Sequence, residues 1–137
     1  MEPRLSFVTL GVVDLERATD FYARVLRLPQ LKTPPTISFF ELGRTYLGLY
    51  RRADLAADAG LPDPGPAVAG AFPGFTLAHN VRSAQEVDLL LSEVEAGGGR
   101  VVQRGRARPE FDGYSGYFAD PDGFLWEVAY NPHFPHI

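Results

Sequence analysis

Two hydrophobic periods alternate along the chain, one of two residues and one near three and a half, and their order predicts its elements. Leu5 to Val13 alternates: Leu5, Phe7, Thr9 and Gly11 share one strand face, and Val8, Leu10 and Val12 share the other. Asp14 then offers an N-cap, and Leu15, Ala18, Phe21, Tyr22, Val25 and Leu26 recur at helical spacing up to Leu28-Pro29. Short strands follow at Ile37 to Leu42 and Thr45 to Arg51, joined by Gly43-Arg44. A second strand-then-helix pattern begins at Gly74 to Val81. Ser83 with Glu86 forms a capping box, Val87, Leu90, Leu91 and Val94 form the apolar stripe, and Gly97-Gly98-Gly99 ends the helix. Strands are predicted at Arg100 to Arg104 and Tyr114 to Ala119, with a polar loop from Arg106 to Asp112 between them.

The last strand is the most informative. Asp120-Pro121-Asp122-Gly123 is a tight-turn signal. After it Phe124, Trp126, Val128 and Tyr130 point one way, and Leu125, Glu127 and Ala129 the other. The first set suits a core. The second holds a carboxylate between apolar neighbours, either solvated on an open face or partly desolvated in a cavity.

The order repeats. Phe7 lies on Thr76, Val12 on Val81, the cap Asp14 on Ser83, Phe21 on Leu90 and Val25 on Val94. Later, Gly43 lies on Gly123, Leu47 on Glu127 and Tyr50 on Tyr130. The expected organisation is a single domain of class α+β. It has a βαβββ module over about 5–51, an Ala/Gly/Pro/Asp connector over 52–73, a second βαβββ module over about 74–130 and a proline-rich tail over 131–137. The connector has room for one helical turn near Ala53 to Ala59. Packed side by side, the modules would form a cupped mixed sheet with helices on its outer face.

Composition narrows the function. The 137 residues carry a formal charge of −4 with no basic run, so nucleic acid and anionic membranes are not expected partners. No apolar run approaches the roughly 20 residues that span a bilayer. The first residues lack the basic-then-apolar order of a signal peptide. The absence of cysteine removes thiol catalysis and thiolate metal sites and fits a cytoplasmic protein.

Val8-Thr9-Leu10-Gly11-Val12, Asp14-Leu15-Glu16-Arg17, Phe21-Tyr22 and Asp120-Pro121-Asp122-Gly123 with Glu127 occur in an order that resembles the vicinal oxygen chelate superfamily. That superfamily includes glyoxalase I, extradiol dioxygenases, fosfomycin-resistance transferases and bleomycin-binding proteins. The resemblance spans roughly residues 5 to 130 and implies two βαβββ modules, usually in a homodimer. Its metal-dependent members place ligands at positions that are Phe7, Thr76 and Glu127 here, and some add a carboxylate where this chain has Leu47. Only Glu127 is a ligand type, so neither a metal nor another cofactor is expected.

The expected site is therefore an apolar surface with a few polar groups. Phe7, Thr9, Leu47, Leu49, Thr76, Asn80, Tyr117 and Glu127 are the residues expected to meet a ligand. Glu127 is either a polar anchor or general base, or an idle solvated carboxylate. Tyr117 resembles a ligand-contacting tyrosine of the fosfomycin-resistance members, and otherwise fills the sheet. His79 is expected on the helix-covered side as a hydrogen-bonded packing histidine, although a one-residue slip of its strand would bring it into the cleft. His133 and His136 lie in the tail, which is either exposed or folds across a dimer partner and lends it a group. Arg51 is a strand-end charge that could meet an anionic substituent. The functions this leaves are binding of a small, largely apolar or aromatic molecule, as in the bleomycin-binding members, or a metal-independent lyase or isomerase using Glu127. A metal-dependent glyoxalase- or dioxygenase-type enzyme ranks third.

Overall fold

Strands and helices follow one another in the computed structural model as β1 (Phe7–Val12), α1 (Leu15–Asp20), β2 (Ile37–Leu42), β3 (Thr45–Arg51), α2 (Arg52–Asp58), β4 (Leu77–Val81), α3 (Ala84–Ala96), β5 (Arg100–Arg108), β6 (Gly113–Ala119) and β7 (Leu125–Tyr130). The structure describes residues 1–63, 65, 66, 68 and 70–134. The chain divides into two compact units, residues 1–66 and 67–137, each with its own mixed sheet. The class is α+β. Among the described residues no helix is long and apolar enough to cross a membrane.

In the first unit the strand order is β1-β3-β2, with β1 parallel and β2 antiparallel to β3. Asp14 caps α1 by accepting from the backbone N–H of Arg17. The predicted helix continues past Asp20 as a π-helical turn, Phe21–Val25, which keeps Phe21 and Tyr22 buried. This helix covers one face of the sheet. Thr19 and Ser38 share a hydrogen bond of 2.7 Å, and the rings of Tyr22 and Phe40 lie 5.9 Å apart. Leu10, Val12, Phe40, Leu47 and Leu49 are buried on that face. The expected fourth strand is reduced to a bridge between Gln30 and Phe40, flanked by Pro29. The connector holds more helix than the single turn expected, and Arg52 of α2 is tied to Asp63 at 2.7 Å.

The second unit has the order β4-β7-β6-β5 and the full βαβββ succession. Ser83 accepts from the Glu86 N–H, and Glu86 accepts in return from the Arg82 N–H. That places the capping box as expected, one residue before α3. Val87, Leu91 and Val94 are buried against a face that includes Phe118, Trp126 and Val128. Each such side chain contributes about 1.5–3 kcal/mol of burial. Gly116 lets α3 approach, because a Cβ there would stand 2.6 Å from Leu91 Cδ1 and 2.7 Å from the Gln103 carbonyl. β5 is longer than expected: it runs into the predicted polar loop as far as Arg108.

Candidate functional site

The turn after β6 sets the geometry of the second unit's other face. Asp120 is buried, and its Oδ1 accepts from the backbone N–H groups of Asp122 at 3.0 Å and Phe124 at 2.9 Å. Gly123 takes φ 92, a left-handed conformation that few other residues adopt. This rigid turn fixes the antiparallel register that sets Tyr117 opposite Glu127. β4 runs parallel on the far side of β7 and sets Ala78 opposite Glu127 and Asn80 opposite Ala129. Alternation then puts Ser115, Tyr117, Glu127, Ala129, Ala78 and Asn80 on the face turned away from α3.

β5 completes this face through an irregularity. Its register to β6 shifts between Val101 and Gln103 and again between Gln103 and Arg106. Consequently Gln103 stands opposite Tyr117, Arg106 opposite Ser115 and Arg108 opposite Gly113. Gly105 lies inside the bulge, where a Cβ would collide with Asp88 and Tyr114.

Arg108 is held on three sides. Its Nε donates to Ser115 Oγ at 2.8 Å and its Nη2 to Gln103 Oε1 at 2.5 Å. Its guanidinium carbon stands 5.8 Å from the Tyr117 ring centroid. The side chain is only 11% exposed, and its nearest carboxylate oxygen, on Glu110, is 3.9 Å away. Tyr117 in turn stands opposite Glu127 on the neighbouring strand. Its pKa is raised above the ordinary 10.0, first by burial, then by hydrogen bonding towards Glu127 and by that carboxylate's charge, with Arg108 and Arg106 pulling the other way. Arg108, Tyr117 and Glu127 thus form a row of guanidinium, phenol and carboxylate.

The expected site residues divide. Asn80, Tyr117 and Glu127 share the face just described. Asn80 donates to the carbonyl of Phe134 at 3.3 Å, so the start of the tail is tied back to β4. Thr76 lies one position before β4 and is exposed. In the first unit Phe7 and Thr9 share the face turned away from α1, where Phe7 lies 5.4 Å from Phe39 and 5.2 Å from Tyr46, ring centroid to ring centroid.

Leu47 and Leu49 require correction. They pair with Val8 and Leu10 and are fully buried on the α1 face, not beside Phe7 and Thr9. The cause is a difference in turn length. β2 and β3 are joined by Gly43 and Arg44 alone, whereas five residues, Asp120 to Phe124, join β6 and β7. Aligning the two turns therefore misplaced the strand by one residue, which exchanges its faces. Gly48 is the true counterpart of Glu127: Thr9 faces Gly48 in one parallel pair as Ala78 faces Glu127 in the other. A Cβ on Gly48 would stand 3.1 Å from both Phe39 and Thr9 Oγ1.

The remaining residues lie off the Glu127 face. His79 pairs with Val128, on the α3 side as expected, but is exposed on an edge strand rather than packed. Arg51 is paired with Asp54 at 3.0 Å. His133 is exposed, and its backbone N–H donates to Asn131. His136 lies outside the described residues. Arg108, Gln103 and Arg106 were missed because the sequence pattern put two of them in a loop.

The metal positions of related folds find little here. Among the described residues no three His, Cys, Asp or Glu side chains are grouped to hold an ion. Phe7 and Gly48 bring no donor side chain, and Thr76 offers only a neutral hydroxyl. A single carboxylate does not match the three or four protein ligands typical of such centres.

Comparison with known proteins agrees with this architecture. A family model described as Glyoxalase/Bleomycin resistance protein/Dioxygenase superfamily matches residues 4–128. The chain belongs to this superfamily. Among solved structures, it is 34% identical to a glyoxalase-related enzyme from Fulvimarina pelagi, with a TM-score of 0.85 over 97% of this chain and 91% of that one. It is 29% identical to a lactoylglutathione lyase from Agrobacterium tumefaciens, with a TM-score of 0.68 over 93% of each chain. A superfamily member from Nocardioides shares the fold at 23% identity, with a TM-score of 0.73 over 99% of this chain and 88% of that one. No curated protein matches.

Proposed function

We propose that this superfamily member binds a small, largely apolar or aromatic organic molecule on the face carrying Tyr117 and Glu127, without the metal ion that related enzymes use. The cross-strand pairing of Tyr117 with Glu127 carries this reading. It places two fixed polar groups beside the small apolar side chains of Ala78 and Ala129, the usual make-up of a small-molecule site. The lack of a donor side chain at Phe7 and Gly48, and the neutral hydroxyl at Thr76, support metal independence. A homodimer in the cytoplasm belongs to the same proposal. It is supported by β1 and β4, each an edge strand of its own sheet, and by the cysteine-free composition.

A second reading has one specific observation in its favour. Tyr117 and Glu127 set a phenol opposite a carboxylate across one strand pair, which is a starting arrangement for proton transfer in a lyase or isomerase. The solved relatives named a glyoxalase-related enzyme and a lactoylglutathione lyase fit that class of chemistry. A thermal-shift screen of small aromatic and aliphatic compounds, run with and without a chelator, tests the first reading. Hits should raise the melting temperature equally in both, since a ligand that binds only the native state stabilises it. They should weaken in Glu127→Gln and Tyr117→Phe. Hits confined to metal-supplemented protein would refute it. Turnover of any hit, lost in Glu127→Gln with binding retained, would establish the second.

A further inference from the structure

The Arg108 guanidinium has more positive charge than its neighbours use. Its Nε and Nη2 bond to neutral oxygens of Ser115 and Gln103, and Glu110 is 3.9 Å from Nη1 with a side chain 63% exposed. A guanidinium this shielded interacts strongly with a nearby charge, because solvent screens it less. Arg106, opposite Ser115 on the same ladder, adds a second cation, and no ion pair to it occurs among the described residues. Glu127 lies on the other side of Tyr117. The local balance is therefore positive at the β5 end of the face, in a chain whose formal charge is −4. Ser115 and Gln103 also fix the rotamer, so the Nη1 edge is already oriented before a ligand arrives.

We propose that Arg108, assisted by Arg106, binds the anionic group of the ligand, a carboxylate or a phosphonate. The body of the ligand then extends past Tyr117 towards Glu127. This rests on the small-molecule reading above and narrows it to an organic anion. The carboxylate of Glu127 sits at the far end, so the preferred ligand pairs its anionic group with a hydrogen-bond donor some distance along the molecule.

The test uses matched probes on the full chain: benzoate, phenylphosphonate and the neutral isostere benzamide, followed by NMR of the arginine Nε–H signals. Benzoate or phenylphosphonate should shift the Arg108 signal and bind at least ~10-fold tighter than benzamide, the scale of a charge-assisted bond. Comparing the two anions decides between carboxylate and phosphonate. Arg108→Gln should abolish that preference, and Arg108→Lys should restore part of it. Because Arg108 is largely buried, the exposed Arg106→Gln variant provides an independent reading, with a loss of about 2–3-fold for the anions alone. Equal binding of benzamide and benzoate at this face would overturn the anion assignment and leave the small-molecule site standing. Failure of all three probes to perturb any residue of the face would overturn both.

Discussion

Tyr117 and Glu127 face each other across the β6–β7 ladder, and the carboxylate helps to raise the phenol's pKa. The pair exists because a buried aspartate three residues past Tyr117 locks the turn between the two strands. Turn, register and site are thus one construction.

The phenol reports on that pair directly. Tyr117 titrates above 10.0 because burial, hydrogen bonding towards Glu127 and the carboxylate's charge all favour its neutral form. Glu127→Gln removes the charge and leaves the burial, so the tyrosinate absorbance of Tyr117 should appear at lower pH than in the parent. Arg106→Gln removes a charge that acts the other way and should move it up. The sign for stability follows: a pKa raised in the folded state stabilises fully below the unfolded value of about 10, and this contribution is lost as pH rises through the folded value. An unmoved midpoint in Glu127→Gln would show that the pair is not formed.

The turn should be the weak point for the whole face. Asp120→Ala strips acceptors from the Asp122 and Phe124 N–H groups and should cost about 1–3 kcal/mol in denaturant unfolding. Asp120→Asn keeps an acceptor in place and should cost less. Equal losses would mean that the charge, rather than the acceptor geometry, holds the turn.

Elemental analysis of protein purified without added metal should find far less than one Zn, Ni, Mn or Fe per chain. A stoichiometric ion would mean that ligands outside the Glu127 face complete a centre.

Light scattering at micromolar concentration should give about twice the chain mass of 15.1 kDa. A monomer would remove the dimer from the proposal without touching the site.

Much of the fold was legible because its signals are local. The caps Asp14 and Ser83 and the Asp120–Gly123 turn each act within a few residues, and the structure contains all three. The strand holding Glu127 was legible for the same reason, since its alternation runs without a break from the turn to Tyr130. What failed depended on register. The faces of Leu47 and Leu49 hinge on a difference in turn length elsewhere in the module. Arg108 reaches the site only because a bulge around Gly105 re-phases β5. Neither leaves a periodic trace, because an inserted residue breaks the period by which strands are read. The π-helical turn at Phe21–Val25 was likewise invisible, since its apolar residues keep nearly helical spacing.

Chemical-shift mapping of a ligand from the screen, titrated into chelator-treated protein, tests the central claim most directly. The expected result is a set of perturbations centred on Ala78, Ser115, Tyr117, Glu127 and Ala129, with affinity unchanged by removing metal. Perturbations confined to the α3 side around His79 and Val128, or binding that appears only after a divalent ion is restored, would contradict it.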